Sequence, residues 1–210
     1  MSVKAVIFDM DGVLVDAREW HYEALNAALG HFGLAISRFD HLVTYDGLPT
    51  RTKLEMLSVE QGLPTGLHPF INNLKQQFTM ETVARECRPT FAHEYALNRL
   101  RQDGYRLAVA SNSIRPTIEA MLSRARLLPL FEVVTSADDV VRGKPDPEIY
   151  CKTLRSLDLD PADVLVVEDN DKGIAAARAA GCRVLPVSDP SGVTHERIAA
   201  AIREMSEVPA

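Results

Sequence analysis

The chain has 210 residues, enough for one domain or for one domain carrying a modest insertion. With 46% hydrophobic and 25% charged residues it has the make-up of a globular protein and not of a disordered one. Its 23 Lys and Arg against 29 Asp and Glu give a formal net charge of −6, which excludes the basic footprint of a nucleic-acid binder and any general attraction to an anionic membrane.

The first predicted strand is Val3 to Phe8, an apolar run too short for a signal peptide and stopped by Asp9. From about Arg18 to Arg88 there are helical patterns and turn signals but no strand. Leu25, Ala28, Leu29 and Phe32 form one helical stripe, and Leu54, Met56 and Leu57 belong to another. Gly47-Leu48-Pro49, Gly62-Leu63-Pro64 and Gly66 punctuate the connections. Residues 17–88 are therefore expected to form a small helical cap, with Trp20 packed inside it, inserted into a core of residues 1–16 and 89–210.

Beyond the insert, strands and helices alternate. Arg106 to Ala110 is a strand; Ile118, Met121, Leu122 and Ala125 mark a helix; Phe131 to Thr135 is the next strand. Asp146 is read as an N-cap with Pro147 in the first turn of a helix over Glu148 to Leu157. Asp163 to Val167 is a strand, Ile174 to Ala180 a small-residue helix ending at Gly181, and Cys182 to Val187 the last strand. The strand runs are nearly continuous in apolar residues, as for strands covered on both faces. Strand, helix, strand in repetition predicts an α/β, doubly wound parallel sheet of Rossmann-like form with right-handed crossovers.

Ligands of such sheets gather beyond the carboxyl ends of the strands. The residues just after each apolar run are polar: Asp9-Met10-Asp11-Gly12, Ser111-Asn112-Ser113, Gly143-Lys144-Pro145-Asp146-Pro147 and Glu168-Asp169-Asn170-Asp171. They would bring Asp9, Asp11, Glu168 and Asp169 to one crevice with Lys144 as the only lysine. Two like charges ~4 Å apart at an effective dielectric near 20 repel by about 4 kcal/mol. Either the carboxyl pKa values rise steeply, or a divalent cation sits among them. Oxygen ligands without His or Cys point to Mg²⁺. A pocket with a metal, a lysine, the Ser111 hydroxyl and backbone amides near Met10 and Asn112 suits a phosphoryl group. Of the Asp9/Asp11 pair, one would attack phosphorus and the other would serve as acid and base.

The string Asp9-Met10-Asp11-Gly12-Val13 resembles the first motif, D-x-D-G-[TV], of the haloacid-dehalogenase-like hydrolases. Ser111, Lys144 and Glu168-Asp169 resemble the second, third and fourth motifs, in order and spaced along the whole chain. The resemblance implies Asp9 as nucleophile, Asp11 as acid/base, and Ser111, Asn112 and Lys144 around the phosphate. It implies Mg²⁺ held by Asp9, Asp169, Glu168 and the backbone carbonyl of Asp11. The helical insert is similar to the cap of the branch with β-phosphoglucomutase and phosphoglycolate phosphatases, which would close over the substrate. His21, Arg51 and Lys75 are the cap residues expected near the leaving group, with Asp16 as a structural residue at the helix start. Asp11 argues against halide chemistry.

The expected activity is a Mg²⁺-dependent phosphatase acting on a small, sugar-like phosphomonoester through an aspartyl-phosphate on Asp9. A sugar-phosphate mutase is the alternative, and a non-turnover phospho-switch a remote one. Cys87, Cys151 and Cys182 fit neither a disulfide framework nor a zinc pair and read as reduced thiols. With no stretch near the ~20 apolar residues of a membrane span, a soluble, cytoplasmic monomer is expected, partnered by a small phosphorylated metabolite and by neither nucleic acid nor membrane.

Overall fold

The structure, a computed structural model, describes residues 3–207. It divides into two compact units, one running up to Asp16 and again from Arg88, the other Ala17–Cys87.

The first unit opens with β1 (Ala5–Phe8). The second unit is wholly helical among the described residues: α1 (Arg18–Gly30), the short α2 (Arg38–Asp40) running into a π-helical turn His41–Tyr45, α3 (Thr50–Gln61) and α4 (His68–Glu86). The first unit resumes with α5 (Phe91–Gln102), β2 (Arg106–Ala110), α6 (Arg115–Arg124), β3 (Val133–Thr135), α7 (Glu148–Leu157), β4 (Val164–Glu168), α8 (Asp171–Ala179), β5 (Arg183–Pro186) and α9 (His195–Glu207).

The five strands form one sheet in the order β3-β2-β1-β4-β5, every pair parallel. The order reverses at β1, whose neighbours are β2 on one side and β4 on the other, and that reversal is where open parallel sheets leave a crevice. The register is level there: Ile7 lies opposite both Ala108 and Val166, and Phe8 opposite Val109 and Val167. One sheet face, Ala5, Ile7, Ala108, Ala110, Val164 and Val166, packs against Ile149, Tyr150, Leu154 and Leu157 of α7 and Ala176 and Ala177 of α8. The alanines let α8 lie close to the strands. The opposite-pointing Val6, Phe8, Leu107, Val109, Leu165 and Val167 are equally buried. Each such aliphatic or aromatic side chain stabilises the fold by about 1.5–3 kcal/mol.

Coverage of every strand on both faces does not hold. In β5, at the edge of the sheet, Arg183 and Pro186 are exposed and the two residues between them half-buried. The N-cap expectation at Asp146 also needs correcting. Pro147, with φ −70°, is the flanking residue of α7, and the Asp146 carboxylate reaches over it to accept the Glu148 N–H at 3.0 Å. At the end of α8, Gly181 adopts φ +86°, the left-handed conformation that turns the chain into β5.

The helical unit has its own core. Leu25, Ala28 and Leu29 of α1 meet Leu54 and Leu57 of α3 and Ile71 of α4, with Ile36, Tyr45 and Leu63 from the connections. Phe32, read from the sequence as part of the α1 stripe, lies beyond the helix end and packs on this cluster from outside. No helix among the described residues is long and apolar enough to cross a membrane.

Candidate active site

Hydrogen bonding between strands runs one residue past their ends. The Asp9 N–H donates to the Val167 carbonyl and the Ser111 N–H to the Thr135 carbonyl, each at 3.0 Å. The backbones of the first polar residues after β1 and β2 are thus fixed by the sheet itself. After Asp11 the chain turns sharply at Gly12 (φ +87°), whose N–H reaches the Val15 carbonyl at 2.7 Å. A side chain at that dihedral would be strained, which is the physical need behind the glycine of the D-x-D-G string.

The chain leaves the strand at Asp9 and bends at Met10 ahead of the turn at Gly12, and the two aspartates end in different surroundings. Asp9 is 7% exposed, and its Oδ1 accepts from the Lys144 ammonium at 2.6 Å. The same Nζ donates to Glu168 Oε1 at 2.5 Å. Asp11 is half-buried, and its Oδ2 accepts from the Ser113 hydroxyl at 2.7 Å. The Ser111 hydroxyl stands 3.5 Å from the same oxygen, too long for a full hydrogen bond, and instead accepts the Ser113 N–H at 3.1 Å.

Glu168 is fully buried at the end of β4 with both oxygens engaged. Oε1 accepts from Lys144 and from the Tyr150 hydroxyl at 2.8 Å; Oε2 accepts the N–H of Asp169 at 2.9 Å and of Asn170 at 3.2 Å. The Lys144 ammonium also lies 5.0 Å from the centre of the Tyr150 ring, within cation–π range. Asn112 pairs with the backbone of Lys144: its Oδ1 accepts the Lys144 N–H at 2.9 Å and its Nδ2 donates to the Lys144 carbonyl at 3.3 Å. Glu148 in turn accepts the N–H groups of Val141 and Arg142, both at 3.0 Å, and so closes the loop that presents the lysine.

Electrostatics follow from this crowding. Burial pushes the Asp9 carboxyl well above the usual range, with Lys144 opposing and Glu168, Asp169 and Asp11 adding to the rise. Lys144 is held well above its ordinary value: burial lowers it, and the Asp9 and Glu168 carboxylates outweigh burial. Carboxylate oxygens of Asp9, Glu168 and Asp169 all lie within 4.8 Å of one another, a spacing that suits a hard cation.

Residues 6–187 match the family described as haloacid dehalogenase-like hydrolase. The chain belongs to that family. It is 32% identical over 195 residues to Protein CbbY of Rhodobacter capsulatus, covering 88% of this chain and 85% of the relative. It is 30% identical over 179 residues to a phosphorylated carbohydrates phosphatase of Thermotoga maritima, covering 85% and 82%. Among solved structures, a mutant CbbY from Rhodobacter sphaeroides in complex with xylulose-(1,5)-bisphosphate aligns with a TM-score of 0.79 at 26% identity, over 88% of this chain and 85% of that one.

Within this hydrolase, all the residues proposed for the core site from the sequence fall in the first unit. Ser113 and Tyr150 were missed. Tyr150 reads from its spacing as one more buried position of α7, and nothing local shows that its hydroxyl meets a carboxylate on β4. In the helical unit, Lys75 is only 7% exposed, and its Nζ lies 3.2 Å from His21 Nδ1. Arg51, named with them from the sequence, stands apart in character: it is exposed at the start of α3 and paired with Glu55 at 2.9 Å. The buried cation of α3 is Lys53, beside Leu54 and one turn before Leu57. That apolar spacing was the signal that could have found it.

Removing the buried ammonium leaves its carboxylates uncompensated, so Lys144→Met is expected to lower folding stability at neutral pH by about 3–5 kcal/mol. The pKa of Lys144 is raised on folding, so its contribution is fully present below the ordinary 10.5 and is lost as pH climbs through the higher folded value. Denaturant unfolding across pH should therefore show the gap between wild type and variant closing above pH 10.5. A constant gap would contradict a charged, paired Lys144.

Proposed function

We propose that the chain is a Mg²⁺-dependent phosphatase acting on a small sugar-like or polyol phosphate through an aspartyl-phosphate on Asp9. The observation that carries this reading is the Lys144 ammonium held between Asp9 and Glu168 while Asp11, two residues away, is held apart by Ser113. Two neighbouring carboxyl groups in unlike surroundings can take unlike tasks. The phosphatase named among the relatives and the sugar bisphosphate bound by the Rhodobacter sphaeroides relative support the substrate class.

In the first step an Asp9 carboxylate oxygen forms a bond to phosphorus as the bond to the leaving oxygen breaks, and protonated Asp11 gives that oxygen its proton. In the second step Asp11, now a carboxylate, takes a proton from a water whose oxygen attacks the same phosphorus. The Asp9–phosphorus bond breaks, inorganic phosphate leaves, and both aspartates return to their starting forms. Lys144 and Ser111 face the phosphoryl oxygens, and Asn112 keeps the lysine in place through its backbone.

The residues fit a dication. Asp9, Asp11, Glu168 and Asp169 would carry four negative charges against one ammonium, and oxygen donors alone suit Mg²⁺. Asp9 and Asp169 would hold it, with the Asp11 backbone carbonyl. Glu168 supports the lysine, because its oxygens already accept four hydrogen bonds. Bound there, Mg²⁺ would offset the repulsion between these acids and the phosphoryl oxygens. In the helical unit, we assign His21, Lys53 and Lys75 to substrate choice, as buried or half-buried polar groups suited to an anionic or hydroxyl-rich leaving group.

Three outcomes test the reading. Asp9→Asn is expected to lose ~10²-fold or more of kcat, since an amide does not attack phosphorus; residual activity near wild type would overturn the nucleophile. Asp11→Asn should lower kcat on alkyl phosphates by ~10²–10⁴-fold, and an unchanged rate would remove it from proton transfer. A panel of phosphate esters, sugar phosphates and phosphoglycolate included, should release inorganic phosphate only with Mg²⁺ present. Release unaffected by EDTA, or isomerised sugar phosphate without free phosphate, would contradict the proposal.

A further inference from the structure

Gly173 lies in the first turn of α8, buried, at a place where no unusual backbone dihedral calls for glycine. Glycine is a poor helix former, so its presence there needs another cause. A Cβ at this position would fall 1.8 Å from Oε1 of Glu168, 2.1 Å from its Cδ and 2.5 Å from Oε2. All three separations are far inside van der Waals contact. The carboxylate has nowhere to retreat: Glu168 is fully buried and held by Lys144, Tyr150 and the amides of Asp169 and Asn170. It also sits against the amino-terminal turn of α8, where the helix dipole favours a negative charge.

We propose that Gly173 is a positioning residue of this site: the gap left by its missing side chain seats the Glu168 carboxylate, and that seat sets where the Lys144 ammonium stands against Asp9. The catalytic half of the proposal rests on the roles given above to Asp9 and Lys144; the structural half stands on the contact alone. An alanine at 173 would drive the carboxylate off its four partners, and the ammonium would follow it or lose its second acceptor. Misplacement of a reacting group by an ångström is enough to cost ~10²-fold in rate.

Three variants separate this from simple helix packing: Gly173→Ala, Glu168→Asp and the pair together. An aspartate at 168 withdraws the carboxyl by one methylene and opens the space that Cβ needs. In melts of metal-free protein, Gly173→Ala should lower Tm in the wild-type background and leave it unchanged or higher in the Glu168→Asp background, where only the better helix propensity is felt. With p-nitrophenyl phosphate and Mg²⁺, Gly173→Ala should lose ~10²-fold in kcat with little change in KM. In the Glu168→Asp background the same alanine should change kcat by less than about twofold. Equal losses of Tm and kcat in both backgrounds would show that glycine is needed for packing alone, and a wild-type-like Gly173→Ala would also overturn the proposal. If Gly173→Ala does not fold, a folded double variant supports the seat and an unfolded one refutes it. The melts need no turnover, so an inactive wild type would sink the proposed reaction while Tm still decides the role of Gly173.

Discussion

One buried ammonium sits among carboxylates that would otherwise repel one another. Two like charges about 4 Å apart at an effective dielectric near 20 oppose each other by about 4 kcal/mol, and burial adds a desolvation cost to each. Lys144 meets this by donating to Asp9 and to Glu168 at once. Much of the surrounding structure serves that arrangement. Asn112 holds the lysine backbone, Glu148 closes the loop that carries it, and Tyr150 and two amides fix the far carboxylate.

The sheet explains why these groups meet. β1 lies between β2 and β4 at the reversal of strand order, and the level register of Phe8, Val109 and Val167 brings the following residues to a common edge. Because the ladder continues to Asp9 and Ser111, the positions of these side chains inherit the rigidity of the core and not of a loop. The bend at Met10, ahead of the turn at Gly12, then separates Asp9, facing the lysine, from Asp11, facing Ser113. One short string supplies two acids with different surroundings.

The central strands were legible because parallel strands buried on both faces leave continuous apolar runs; Arg106–Ala110 stands where the run places it. Edges were less legible. β3 starts at Val133 and not Phe131, since Phe131 follows a tight turn at Leu128–Leu130 and packs its ring edge-on against Phe8 at 6.1 Å. The polar residues at strand ends could be read because topology alone sends them to one edge. The partners of Ser113, Tyr150 and Gly173 could not, since each acts on a carboxylate brought near by packing: Ser113 on Asp11 across 102 positions of chain, Tyr150 on Glu168 across 18. On α3, Arg51 is exposed while Lys53 is buried beside Leu54, a difference of helix face that charge alone does not show.

In the proposed reaction the charged Lys144 leaves Asp9, and not Asp11, ready to accept a phosphoryl group. A crystal structure grown with Mg²⁺ and beryllium fluoride, which mimics a phosphoryl group on a carboxylate, tests this most directly. The adduct is expected on a carboxylate oxygen of Asp9, with Lys144 and Ser111 touching its fluorines and Glu168 still bonded to the lysine. An adduct on Asp11, or one on Asp9 with Lys144 turned away, would contradict it.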